Sequence, residues 1–272
     1  MRDLILVRGG GDIATGTIWT LRRAGFPVLI LESANPSAIR RSVSFCEAVY
    51  TGEAEVEGMK CVLAKDEDDA RRLLEKDELA VLVDPEGKSI GDLKPAVLVD
   101  AILAKKNLGT GKDMAPFVLA LGPGFTAGTD CHAVVETMRG HDLARLLTAG
   151  SALPNTGTPG LIAGHASDRV IHASCAGVLY NRAEIGDIVK KDRVIAVIRR
   201  EDGTEEEVKA SFTGLLRGLI RNNFPVAKGF KIADIDPRET EYRNCFTISD
   251  KARAIGGTVL MAVMEYRKNA HE

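Results

Sequence analysis

The chain predicts an α/β protein: a Rossmann-like parallel sheet over residues 1–150, a β-rich domain over 151–240, and a C-terminal helix within 241–272. Three observations predict it. Up to residue 150, short apolar runs alternate with amphipathic stretches, the pattern of strands buried on both faces and linked by helices. Beyond it, "GSALPNTGTPGLIAGH" has the composition of a long loop, and the strands that follow are short with frequent turns. A segment of this second region then repeats at a constant spacing. At 272 residues with 45% hydrophobic content, the chain has material for two such units.

The elements follow in order. "LILVRG" is a strand, residues 12–25 a helix ending at Gly25, "PVLILES" a second strand and "MKCVLAK" a third. "DEDDARRLLEKD" is a helix whose acidic start suits the positive end of its dipole. "ELAVLVDP", "AVLVDA" and "PFVLALGPG" are apolar runs too short for helices and too uniform for one-sided strands. "TISDKARAIGGTVLMAVMEY" is a helix with Ser249 as its N-cap and basic residues at its far end.

Residues 172–198 lie over 209–235 without a gap, nine of 27 positions being identical at an offset of 37, among them Gly177 with Gly214 and Ile195 with Ile232. This is an internal duplication, and two such copies should pair about a pseudo-twofold axis. Each copy resembles half of the barrel-sandwich fold of biotinyl and lipoyl carrier domains. The hairpin between the copies, "RREDGTEEEV", holds no lysine to carry a cofactor, which disfavours a swinging-arm carrier.

Composition narrows the function classes. With 36 Lys+Arg against 38 Asp+Glu the net charge is −2, and no basic face marks a nucleic-acid or membrane partner. Five cysteines without a CxxC pair suit a reducing compartment, and no secretory signal or spanning segment is evident, so a cytoplasmic protein is expected.

"VRGGGDIATGTI" carries the sharpest pattern. Gly9, Gly11 and Ala14 fit G-x-G-x-x-G/A: the first glycine allows the strand-to-helix turn, the second lets backbone approach a pyrophosphate, and the small third residue lets helix pack on strand. Gly10 and Asp12 complete the expected cofactor-binding turn, although Asp12 could equally cap the helix and oppose a phosphate. Glu32 ends the second strand, where a carboxylate accepts from ribose hydroxyls and repels a 2′-phosphate, favouring NAD over NADP. A second turn at Gly122 and Gly124, in "LALGPGFTAGTDCHAVVETMRGH", is expected to share this crevice.

A helix opening near Thr129 or Asp130 would place Cys131 and His132 in its first turn, where the dipole favours a thiolate. Three readings stay open. Cys131 and His132 are catalytic, as nucleophile or redox thiol with an adjusting histidine; or they join Glu136 and His141 at a metal; or they shape a pocket and pack on the sheet. No metal is expected.

The stretches "GGGDIATGTIWTLRRAGFPVLILE", "AIRRSVSFCEAVYTG", "VDAILAKKNLGT", "LALGPGFTAGTDCHAVVETMRGH", "IADIDPR" and "TISDKARAIGG" resemble the YqeB family, described as accessory proteins of selenium-dependent molybdenum hydroxylase systems. That resemblance spans the chain. It implies a maturation factor with a molybdenum hydroxylase client enzyme, and its first domain is also similar to the Rossmann part of XdhC proteins, which adds a molybdopterin dinucleotide to NAD as candidate cofactor. The alternatives are an NAD-dependent oxidoreductase on a small substrate and a non-catalytic assembly scaffold. A homo-oligomer is a further candidate assembly.

Overall fold

The structure, a computed structural model, describes residues 3–157 and 160–270. It divides into two compact units: Met1–Pro36, Ser44–Thr156 and Ile248–Glu272 form the first, Ser37–Val43 and Gly157–Thr247 the second.

In the first unit the chain runs through β1 (Ile5–Arg8), α1 (Asp12–Arg23), β2 (Val28–Glu32), α2 (Ala48–Thr51), β3 (Glu53–Val56), β4 (Met59–Ala64), α3 (Glu67–Glu75) and β5 (Leu79–Val83). It continues through α4 (Ile90–Leu93), β6 (Val97–Asp100), β7 (Phe117–Leu121), β8 (Thr126–Ala127), β9 (Ala133–Val135), β10 (Leu146–Leu147) and β11 (Gly150–Ser151). Among the described residues nine strands form one sheet, in the order β10-β9-β7-β6-β1-β2-β5-β4-β3. The seven inner strands pair in parallel; β3 on β4 and β10 on β9 are antiparallel. Central strands such as Ile5–Arg8 are buried at every position, as the apolar run Ile5–Val7 requires, with Arg8 buried at its end. Asp66 caps α3 by accepting from the Asp69 amide at 2.8 Å.

The expected Rossmann-like parallel sheet, wound with helices on both faces, is corrected here to a mixed sheet. Its antiparallel edge strands, β3 on β4 and β10 on β9, make it mixed, and two crossovers also lack the expected helices. Between β6 and β7 the segment 101–116 forms no helix: Leu103 and Lys105 take left-handed backbone, and "LAKKNLGTGKD" has no apolar periodicity to bury. After β7, Gly122, Gly124 and Gly128 all have positive φ, and the helix expected near Thr129 is replaced by a turn and strand β9. The last element of the unit, α5 (Asp250–Ala270), is capped by Ser249, whose Oγ accepts from the Ala252 amide at 3.2 Å. It packs on α1 at bare backbone: a Cβ at Gly16 would lie 2.5 Å from the Ala252 carbonyl oxygen, and one at Gly256 would lie 2.6 Å from the Gly16 carbonyl oxygen.

The second unit holds β12 (Val170–His172), β13 (Gly177–Asn181), β14 (Ile188–Val189), β15 (Val194–Arg199), β16 (Glu205–Lys209), β17 (Gly214–Leu219), β18 (Phe224–Val226) and β19 (Lys231–Asp236). They make two four-stranded antiparallel sheets, β12-β19-β17-β14 and β16-β15-β13-β18. A shift of 37 residues, the step from Gly177 to Gly214, carries β13 onto β17 and β15 onto β19, and overlays β12 on β16 and β14 on β18. Each sheet therefore takes its strands from both copies, in matching order. The inner faces enclose a core that includes Leu179, Ile195, Leu216 and Ile232. The biotinyl/lipoyl-like barrel-sandwich expected from sequence is corrected to this pair of antiparallel sheets.

Candidate functional site

The carboxyl ends of β1, β2, β6, β7 and β9 bring together both glycine turns, Asp12, Ala14, Glu32 and Glu136, whereas Cys131 and His132 precede β9 and lie beside the start of β7, at the opposite edge. Gly9 turns the chain out of β1 with φ +94°, and a Cβ there would lie 2.9 Å from the Ala101 carbonyl oxygen. Its amide donates to the Leu31 carbonyl at 2.8 Å. The Gly10 amide donates to Glu32 Oε2 at 2.8 Å, and its carbonyl accepts from the Cys46 amide at 2.9 Å. A Cβ at Gly10 would meet the Cys46 nitrogen at 3.0 Å. Two of the three turn amides thus have partners inside the protein.

Gly11 differs. It is the N-cap of α1 with φ −68°, it contributes no side-chain cap, and a Cβ built on it would meet no atom within 4 Å. The first amides of a helix have no acceptor within the helix, so their donors are met from outside it. Ala14 is fully buried, leaving α1 close to the sheet, and Asp12 begins the helix. The thiol of Cys46 registers the charge here: burial raises its pKa, and Glu32, Glu47 and Asp12 raise it further.

The second turn lies along the same edge. A Cβ at Gly122 would meet Thr137 Oγ1 at 2.6 Å, and one at Gly124 would meet Lys106 Cα at 2.6 Å, so close chain packing accounts for both glycines. Cys131 is 0% exposed, and without the expected helix no dipole favours its thiolate. Burial pushes its pKa up to about 11, with Asp130 and Asp100 adding to the shift. His132 Nδ1 accepts from the Val118 amide at 2.9 Å, and burial lowers its pKa. Glu136 is buried with both oxygens engaged, by the Met138 and Leu153 amides at 2.7 Å each. Among the described residues no group of three or more His, Cys, Asp or Glu could hold a metal ion.

Two features of this edge escape the sequence reading. Lys251, in the first turn of α5, is half-buried, and desolvation depresses its pKa, as does Arg139; Asp12, Glu136 and Asp250 oppose the shift. Arg8, 2% exposed at the end of β1, donates to Thr110 Oγ1 at 2.6 Å and to the Pro85 carbonyl at 2.8 Å. Thr110 in turn donates to Asp100 Oδ2 at 2.5 Å, and this chain ties the helix-free crossover down. Neither belongs to a spacing pattern; both depend on residues distant in sequence.

Fold and site together define a two-unit α/β protein with a polar edge on a mixed sheet. No protein-family model matches it. The chain is 50% identical over 262 residues to the uncharacterized protein YqeB of Escherichia coli (strain K12), a match covering 96% of this chain and 47% of that protein. The chain thus spans about half the length of that relative, and the likeness supports the YqeB family.

Among solved structures, the product-bound ectoine utilization protein EutE (DoeB) from Ruegeria pomeroyi aligns at 15% identity and TM-score 0.25, covering 86% of this chain and 57% of that one. An aspartoacylase family protein from Mesorhizobium loti aligns at 11% identity and TM-score 0.30, covering 86% and 85%. At such scores the alignments lend this chain neither a fold nor an activity. The expected role in maturing a selenium-dependent molybdenum hydroxylase is corrected all the same, together with the NAD-dependent oxidoreductase and scaffold alternatives. The relative is named only as an uncharacterized protein, so the likeness brings no molybdenum, selenium or NAD role to this chain. Among the described residues no helix is long and apolar enough to cross a membrane.

Proposed function

We propose that the first unit binds a small phosphorylated, hydroxyl-bearing molecule, of nucleotide type, at the N-terminus of α1. The observation that carries this reading is Gly11: an N-cap without a capping side chain, facing open space, with the half-buried amine of Lys251 under the influence of the adjoining Asp12. Helix amides and a lysine together attract one anionic group. The carboxylates of Asp12 and Glu32 oppose a second, and they suit hydroxyl donors instead. Since Gly10 already donates to Glu32, anion contact falls to the amides from Gly11 onward.

Titration calorimetry of the full chain with NAD, NADP, a molybdopterin dinucleotide and inorganic phosphate tests this. Saturable binding by at least one of them is expected, weakened about tenfold in Lys251→Met, the effect of losing about 1.4 kcal/mol. Binding by none, or affinity unchanged in both Lys251→Met and Gly11→Ala, overturns the reading.

A further inference from the structure

We propose a second anion site, in the second unit and independent of the α1 reading: Arg217 on β17, with Arg169, receives one oxyanion group, a carboxylate or phosphate, of a small ligand.

The duplication supplies an internal control. In the first copy, β13 pairs regularly with β15, Tyr180 opposite Val197. The matching strands of the second copy are β17 and β19, and there the register slips between Leu216 and Gly218, so that Gly218 rather than Arg217 pairs with Asp234. Arg217, the counterpart of Tyr180 at the offset of 37, is the extra residue of a β-bulge. Bulges bend a strand and re-aim a side chain, and they gather near binding sites. The other members have no like counterpart either: Asp234 stands where the first copy has Val197, and Arg169, just before the first copy, falls at Glu206 under the same offset. The fold is built once without this cluster, so folding alone does not demand it.

The cluster is also incomplete. Asp234 is 7% exposed and serves two arginines, with Arg169 Nη2 at 3.4 Å from Oδ1 and Arg217 Nη1 at 3.8 Å from Oδ2. The neighbouring Asp236 is held by Arg238 through contacts of 2.9 and 2.8 Å. Arg169 also donates to the Ile235 carbonyl at 3.2 Å. Arg217 Nε, by contrast, is buried with no hydrogen-bond partner among the described residues. A guanidinium presents a planar fork of donors and cannot shed its charge. Two guanidiniums facing one carboxylate leave one positive charge and an unused donor, which an oxyanion group would satisfy together. The Arg217 side chain keeps 16% of its surface exposed, although Nε itself is covered, so an anion approaches from that exposed part and reaches Nε only as the side chain shifts.

The test follows inorganic phosphate and acetate binding at low ionic strength in the full chain carrying Lys251→Met, which weakens the edge of the first unit, so that dependence on Arg217 assigns what remains. Saturable binding of either anion, weakened by added sodium chloride and lost at least tenfold on adding Arg217→Tyr, is expected; tyrosine is what the first copy holds at this position. Should Arg217→Tyr fail to fold, the Nε–H resonance of Arg217 in the otherwise native chain is read instead, and it should move as the anion is added. No binding, equal binding with and without Arg217→Tyr, or an unmoved resonance overturns the proposal.

Discussion

The amide of Gly10 donates to Oε2 of Glu32 at 2.8 Å, while Oε1 of the same carboxylate accepts from the Ser33 amide at 2.7 Å. One side chain thereby ties the turn after β1 to the end of β2. Glu32→Ala removes the acceptor of a partly buried amide, a change worth about 1–3 kcal/mol. A fall of roughly 2–4 °C in thermal midpoint per kcal/mol is expected by calorimetry. An unchanged midpoint would show that this carboxylate does not hold the turn.

The three glycines of that turn should respond differently to one added methyl. Alanine at residue 9 must keep φ +94° and approach the Ala101 carbonyl oxygen at 2.9 Å, so Gly9→Ala is expected to cost at least about 1–3 kcal/mol. Gly10→Ala presses on Cys46 backbone at 3.0 Å and is expected to fall between the other two. Gly11 has an ordinary φ of −68° and open space beside it; its alanine should cost no more than about 1 kcal/mol, the weaker N-cap alone. Urea unfolding ranks the three, and a Gly11→Ala chain as unstable as Gly9→Ala contradicts the geometry.

Thiol chemistry gives a direct test of Cys131. Cys46, Cys61, Cys131 and Cys245 are buried, and Cys175 alone of the five is partly exposed. A thiol-specific reagent at pH 8 should label one cysteine per folded chain, and Cys175→Ser should abolish that reaction. For Cys131 the folded state holds its proton up to about 11, above the ordinary 9.0. Its contribution to stability is therefore complete below pH 9 and lost as pH rises towards 11, because the unfolded chain gives up the proton first. Rapid labelling of Cys131 in the folded protein would rule this out.

What the sequence discloses depends on how local the cause is. Strands β1, β2, β5, β6 and β7 are legible because unbroken apolar runs of four or five residues have few other ways to be buried. Ser249 is legible because capping is decided within one turn. The segment after β7 misleads: "TDCHAVVETMRG" has helix-like spacing, yet His132 Nδ1 takes the Val118 amide and Ala133–Val135 pairs with β7, so sheet contacts override propensity. Gly9, Gly10, Gly122 and Gly124 fit a ligand-binding pattern in sequence, and here each lies against neighbouring chain. Lys251 could not be found from spacing at all, since its surroundings come from residues 12, 136 and 139.

Arg8 and Asp100 lie side by side on paired strands, both 2% exposed, with their charged atoms 4.0 Å apart and Thr110 bridging them. Burial raises the Asp100 pKa, while Thr110, the Ile102 amide and Arg8 hold it down. Arg8→Met leaves that carboxylate buried without its cation, and a loss of about 3–5 kcal/mol is expected, the usual cost of breaking a buried pair from one side. Asp100→Leu leaves the guanidinium stranded and should cost a comparable amount. The double variant removes both charges, so it should be less destabilised than the sum of the single variants by more than about 1 kcal/mol. Urea unfolding of the four proteins gives this coupling directly. Simple additivity would mean that the two side chains act on the crossover separately, through Pro85 and Ile102, and not as a pair.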